Sequence, residues 1–294
     1  MGKKGPIVVK VLITGGSGML ASDLNSILSN NPNIKILCPD RKTLDITDRK
    51  KVEEVFSMFK PDYTIHTAAL TNVDFCEDYF NEAYNINALG TENIALYSEK
   101  MGSKLVYISS CGLFGDDIKE YKETDSVVLK TKYSVSKYEG ELKVRNNCPR
   151  HFIVRPGWLF GGSIKHRKNF VYARYKEAQN NPQIKSAGDK FGCPTLTNHL
   201  AKKITELLET DLYGLYHVSN RGYCSRFDYV KKIIQAFGLR NEVIEVDSSS
   251  FKRKAPVPNC EALKNENLAN NGFGLLDSWE EAIEEYVHRL KQIL

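Results

Sequence analysis

Tyr133-Ser-Val-Ser-Lys137 sets a phenol and an ammonium four residues apart. On a helix that spacing puts both on one face. A free tyrosine titrates near ~10, and a cation close by favours its phenolate and moves it toward a useful acid strength. The chemistry such a pair serves is proton donation to an oxygen that gains negative charge. Upstream, an apolar run ends in Ile108-Ser109-Ser110, so Ser110 can offer a hydroxyl that orients a carbonyl. A bare YxxxK is common; the three groups together, downstream of a nucleotide-binding pattern, are far more specific.

That pattern is Val11-Leu-Ile-Thr-Gly15-Gly-Ser17-Gly18-Met19-Leu20-Ala21. It reads as a strand passing into a helix. Gly15 and Gly18 permit the tight turn and let the N–H groups of Ser17, Gly18, Met19 and Leu20 approach a pyrophosphate at the helix start, while Ala21 keeps the helix close to the sheet. Asp40 follows at about 20 residues, at the end of a second strand, where a carboxylate can bond a ribose hydroxyl. Arg41 and Lys42 come next. They could hold a 2′-phosphate or be two solvated loop charges; weighing the cations more heavily gives NADPH as cofactor, with NADH tolerated.

Positioning these groups needs alternating strands and helices, the mark of a parallel sheet with crossover helices. Strands are expected at Val8–Thr14, Ile34–Cys38, Tyr63–Thr67, Lys104–Ser109 and His151–Arg155. Helices are expected at Met19–Leu28, Lys50–Lys60, Asn81–Met101 and Thr131–Val144. Beyond about Gly161, loops rich in Gly, Pro and Lys (161–169, 186–195, 252–260) interrupt helices such as Leu200–Glu209, Arg226–Phe237 and Ser278–Leu294. The fold class is therefore α/β: a Rossmann-type doubly wound parallel sheet in residues 1–160, and a smaller C-terminal substrate-binding lobe in 161–294, with some elements interleaved.

Composition bounds the function. The chain has 294 residues, 41% hydrophobic and 26% charged, which suits a globular protein with a sizeable core. No apolar run approaches the roughly 20 residues a membrane span needs. The start, Met1-Gly-Lys-Lys-Gly-Pro6, reads as neither a signal peptide nor a myristoylation site. The seven cysteines are scattered without a CxxC pair, so neither a disulfide framework nor a metal site is expected, and a cytoplasmic location fits. A net charge of +5 spread along the chain is compatible with a phosphate-bearing small ligand and too diffuse for nucleic acid.

The residues resemble a family, the dTDP-4-dehydrorhamnose reductases among the extended short-chain dehydrogenases/reductases. Leu44-Asp45-Ile46-Thr-Asp48 is similar to the family's segment near the adenine, and Ala68-Ala69-Leu-Thr71-Asn-Val73-Asp74 to its AAxTxVD. Asn87-Ala-Leu-Gly90, Arg155-Pro-Gly-Trp158-Leu-Phe-Gly161, Lys168-Asn169-Phe170, Asp189-Lys190-Phe-Gly-Cys-Pro-Thr195 and Gly214-Leu-Tyr-His217 resemble further family motifs in both lobes. The resemblance implies reduction of the 4-keto group of a nucleotide-linked 6-deoxysugar, with Ser110, Tyr133 and Lys137 as catalytic set. It implies that Asp40, Asp45, Ile46, Ala68, Ala69, Asn87 and Arg155 meet the cofactor. Thr71, Val73, Ser110, Cys111, Trp158, Asn169, Lys190 and Arg253 would then face the substrate.

Three departures bear on the sugar. The family's STDY is Ser109-Ser110-Cys111-Gly112 here, its DQxGxPT has Lys190 for Gln, and its A-x-R-P is Ala255-Pro256-Val257-Pro258. Arg253, Lys254 or Lys190 could replace the lost arginine. Cys111, with His166 as partner, could serve an epimerase, although a small buried residue is the plainer reading. Lys165-His-Arg-Lys168 could clamp a diphosphate or be a solvated loop. Trp158 can be core and sugar platform at once, His217 reads as a packed strand residue, and Tyr172, Tyr175 and Phe227 as helix faces. The rival functions are a nucleotide-sugar epimerase or bifunctional epimerase/reductase, and a non-catalytic NADP-binding regulatory subunit. A homodimer is the expectation from the fold's habits.

Overall fold

Short, largely apolar runs, buried in the central strands and half-exposed in the edge strand Ile34–Leu37, build a six-stranded sheet, seen in a computed structural model that describes residues 8–294. The opening segment 1–7, read above as neither leader nor lipidation site, lies outside the described residues. The strands are β1 (Val9–Thr14), β2 (Ile34–Leu37), β3 (Tyr63–His66), β4 (Lys104–Ile108), β5 (His151–Pro156) and β6 (Gly214–Val218). Their order is β6-β5-β4-β3-β1-β2 and every pairing is parallel. The order reverses at β1, so the crevice beyond the carboxyl ends of β1 and β3 is a switch point, where such sheets bind ligands. β6 comes from the second half of the chain, so the sheet is not confined to residues 1–160. It is accompanied by the helix Thr197–Leu208, which packs against Met19–Leu28.

Helix ends follow their sequence signals. Asp48, Thr131, Ser225 and Ser278 cap the helices Arg49–Phe59, Lys132–Asn147, Arg226–Phe237 and Trp279–Lys291 by accepting from a backbone N–H three residues on, the usual role of a short polar side chain there. The expected single helix Asn81–Met101 is instead Phe80–Tyr84, a π-helical turn Asn85–Gly90, and Thr91–Met101. The wide turn lies against Lys132–Asn147, whose buried face is built of small and polar residues: Ser134, Ser136, Lys137, Gly140 and Glu141. A Cβ at Gly140 would stand 2.5 Å from the Asn87 carbonyl oxygen, so only glycine lets the two segments approach this closely.

Elements that the sequence left unassigned include Val73–Asp78 and a parallel pair Gln183–Ala187 with Glu242–Val246, while Tyr172 and Tyr175, read as helix faces, lie on the helix Phe170–Asn180. Short strands assemble the second lobe near the sheet: Trp158–Phe160 pairs with Pro194–Leu196, and Phe191–Gly192 lies between Cys224–Ser225 and Cys260–Glu261. Among the described residues no helix is long and apolar enough to cross a membrane.

Candidate active site

A cleft of about 1080 Å³ runs from the glycine turn after β1 to the second lobe. At one end Gly15, at φ 75°, brings β1 against the end of β3: a Cβ there would lie 2.9 Å from Ala68 N and Cα. The helix Met19–Leu28 begins at Gly18 with no side-chain cap and no acidic residue in its first turn. Ser17, Gly18, Met19 and Leu20 line the cleft at this point; the Gly18 N–H closes the turn by donating to Gly15 O at 2.9 Å, which leaves the first N–H groups of the helix itself, those of Met19 and Leu20, for an anion. Arg41, Asp45, Ile46, Ala68 and Ala69 continue the wall, so this end fits a dinucleotide.

Four expected cofactor or rim residues sit elsewhere. Asp40 accepts from Thr43 N and Oγ1, both at 2.9 Å, and these bonds hold its carboxyl below the usual range; it shapes the loop and does not line the cleft. Lys42 is exposed and off the wall. Asn87 is fully buried and clamps the Ala68–Thr71 loop, accepting from Leu70 N at 2.8 Å and donating to Leu70 O at 3.0 Å and Ser136 Oγ at 2.9 Å. Arg155, expected to meet the cofactor, is buried in a forked ion pair with Glu141, with Nε–Oε1 and Nη2–Oε2 both at 2.7 Å. A guanidinium that deep without a carboxylate would be an uncompensated charge, and the pairing explains its retreat from the cleft.

At the other end Ser110, Tyr133 and Lys137 meet on the cleft wall. Burial raises the Tyr133 phenol, an effect the adjacent Ser110 hydroxyl opposes. Ser110 Oγ accepts from Gly112 N at 3.1 Å, which turns the serine into the cleft. Lys137 Nζ donates to the Ile108 carbonyl at 2.8 Å and lies 4.3 Å from the Tyr107 ring centre. Burial lowers this lysine to about 7, opposed by Glu141 one turn on. Glu141 also accepts from Ser109 Oγ at 2.6 Å, so a single buried carboxylate ties the segment after β4 that carries Ser110 to the helix that carries Tyr133 and Lys137. Beneath them His66 bridges Thr14 Oγ1 at 2.7 Å and Thr91 Oγ1 at 3.1 Å and is held neutral, its pKa pushed down to about 3 by burial.

The substrate side is partly as expected. Thr71, Val73, Cys111, Trp158 and Arg253 line the cleft, together with Lys165, His166, Arg167 and Lys168. The 165–168 cations thus edge the cavity, and Lys168 Nζ reaches Thr71 Oγ1 across it. Asn169 is drawn away, capping its helix and donating to Tyr286 Oη at 2.5 Å. Lys190 is held by Asn259 Oδ1 at 2.6 Å, and Lys254 by Asp78, so of the three candidates for the lost arginine only Arg253 faces the cleft. Cys111 is buried and its thiol is raised well above the ordinary value by burial. His166 Nδ1 is engaged by Ser163 N at 2.9 Å.

Two charged wall residues escaped the sequence reading. Arg226 stacks its guanidinium 3.3 Å from the Trp158 ring centre, and Glu261 Oε2 accepts from Trp158 Nε1 at 2.5 Å. Arg226 stands just after the Ser225 cap, a signal for a helix start but not for a ligand. Glu261 has no local signal; it arrives through its two-residue pairing with the Phe191–Gly192 strand.

Residues 9–292 match the family model described as RmlD substrate binding domain. The chain belongs to this family. Among similar proteins, the spore coat polysaccharide biosynthesis protein SpsK of Bacillus subtilis is 31% identical, over 95% of this chain and 97% of its own. A dTDP-4-dehydrorhamnose reductase of Bacillus anthracis, solved in complex with NADP, is 37% identical with a TM-score of 0.92, covering 96% of this chain and 99% of that one. A reductase of the same name from Clostridium acetobutylicum is 31% identical with a TM-score of 0.92, covering 96% and 100%.

Proposed function

We propose that this protein is an NADPH-dependent reductase of the 4-keto group of a nucleotide-linked 6-deoxysugar, a reading supported by relatives named dTDP-4-dehydrorhamnose reductase, one of them solved with NADP. The observation that carries the reading is the convergence of Ser110, Tyr133 and Lys137 on a cleft whose far end is an uncapped helix start beside Gly15 and Arg41. Gly15, Ser17, Gly18 and Arg41 would hold the dinucleotide phosphates, and Lys137 the ribose next to the nicotinamide. When bound, NADPH supplies the hydride to the sugar's carbonyl carbon. Tyr133 donates its phenolic proton to the oxygen as charge develops there, and Ser110 fixes that oxygen by a hydrogen bond. Lys137 favours departure of the proton by stabilising the phenolate. Glu141 opposes the loss of the lysine's charge.

The natural partner is a nucleotide-diphosphate sugar, and a homodimer and a cytoplasmic location complete the reading; seven cysteines, all free, support a reducing compartment. Following NADPH absorbance over a panel of 4-keto-6-deoxy nucleotide sugars separates the alternatives. Stoichiometric oxidation identifies a reductase. Product without net oxidation identifies an epimerase, and NADP binding with no turnover a regulatory subunit. Tyr133→Phe should keep NADPH affinity and lose roughly a hundred- to ten-thousand-fold in kcat; near-normal turnover in that variant ends the proposed chemistry.

A further inference from the structure

The stretch after Ser110 lacks a carboxylate, since Cys111 and Gly112 occupy the positions where the resembling family has Asp and Tyr. The structure brings one back from the far end of the chain. A Cβ on Gly112 would lie 2.9 Å from Glu261 Oε1 and 3.5 Å from Ser110 Oγ, so the missing side chain is the space that the Glu261 carboxylate uses. Oε2 of that carboxylate is fixed by the Trp158 indole N–H at 2.5 Å. The indole ring is itself sandwiched: Arg226 stacks 3.3 Å from its centre, and Gly192 lies close enough on the ring that any Cβ there would collide with it. Glu261 is in turn held to Gly192 by the strand pairing. Oε1 is left on the cleft wall next to the serine hydroxyl.

We infer that Glu261 is a specificity-determining residue that accepts a hydrogen bond from the sugar hydroxyl on the carbon next to the reacting carbonyl. The inference rests on the reductase reading for the orientation of the carbonyl, which Ser110 sets. An acceptor-only group that shares the space over Gly112 with that serine is placed for the substituent beside the carbonyl, and a carboxylate selects a donor there. It disfavours a second negative group at the same carbon. A hydrogen bond to a charged acceptor discriminates by roughly ten- to a hundredfold.

The test is direct binding, so that it stands apart from turnover. Calorimetric titration of wild type, Glu261→Gln and Glu261→Ala, each saturated with NADP⁺, uses two nucleotide-sugar alcohols that differ only in the hydroxyl at that carbon. Wild type should bind the hydroxylated sugar roughly ten- to a hundredfold more tightly, Glu261→Gln should keep part of that ratio, and Glu261→Ala should bring it close to one. The nucleoside diphosphate without the sugar should bind all three proteins alike, a result that a merely structural loss of the Trp158 contact would not give. An unchanged ratio in Glu261→Ala, or equal weakening for the sugar-free diphosphate, overturns the assignment. Wild type that binds these alcohols with the expected ratio yet never oxidises NADPH overturns the reductase reading instead.

Discussion

Glu141 is the residue whose loss the structure prices most clearly. Its carboxylate is fully buried and accepts four hydrogen bonds: from Ser109 Oγ at 2.6 Å, Arg155 Nε and Nη2 at 2.7 Å, and Arg145 Nη2 at 3.1 Å. Oε1 serves Ser109 and the Arg155 Nε; Oε2 serves Arg155 Nη2 and Arg145. Glu141→Gln keeps the shape and removes the charge. Whichever way the amide turns, its NH2 takes the place of an oxygen that Arg155 donates to, so Arg155, 2% exposed, loses one of its two bonds and stays buried beside an uncharged partner; only the Ser109 hydroxyl can turn and accept instead. Breaking one side of such a pair costs about 3–5 kcal/mol. Urea unfolding should show this as a lower midpoint at unchanged slope. Replacing both partners, Glu141→Met with Arg155→Met, should recover part of the loss, because two apolar side chains need no compensation while the buried Ser109 hydroxyl loses its acceptor. The same variant has a catalytic readout. Glu141 holds the lysine's pKa up against burial, so in Glu141→Gln the limb of the kcat/KM profile due to Lys137 should move to lower pH. A destabilisation under about 1 kcal/mol, or a double variant as weak as the sum of its parts, would refute the reasoning.

Two further outcomes follow from the site. Arg41 is largely exposed at the cleft rim, 3.8 Å from Asp45, so Arg41→Ala should weaken NADPH roughly three- to tenfold in Kd while leaving NADH nearly unchanged, with the gap shrinking at high salt; equal weakening of both cofactors in fluorescence titrations would remove the 2′-phosphate role. His66 is buried neutral at about 3, whereas the unfolded chain protonates it near ~6.5. Between those values the unfolded state binds the extra proton, so stability falls as pH drops from about 6.5 toward 3, by up to about 1.4 kcal/mol per pH unit. His66→Asn should flatten that slope in Tm measured against pH, and identical slopes would show that the histidine does not titrate on unfolding.

How much of this was legible depends on whether a contact is local. The turn at Gly15–Gly18 and the Tyr133–Lys137 pair were readable because a helical period and a strand-to-helix switch fix their geometry within a few residues. β1 and the helices at Met19 and Arg226 lay where the alternation of strand and helix patterns placed them, whereas the single expected helix Asn81–Met101 hid a π-turn. That turn is dictated by close packing on Gly140 of another helix, which no local propensity records. The same reason sorts the side chains. Arg155, Asn169 and Lys190 lie in stretches that resemble family motifs, yet each is claimed by a partner distant in sequence: Glu141, Tyr286 and Asn259. A polar group that finds a buried partner is no longer available to a ligand. Glu261 runs the other way, as an unremarkable residue in an irregular segment that reaches the cleft through a two-residue strand and the space vacated at Gly112. The catalytic end therefore follows from short-range pattern, and the sugar end from long-range pairing across segments 110–112, 158–168, 191–192, 226 and 253–261. Substrate choice can then change by substitutions in those segments while the Ser110–Tyr133–Lys137 geometry, locked by Glu141, stays fixed.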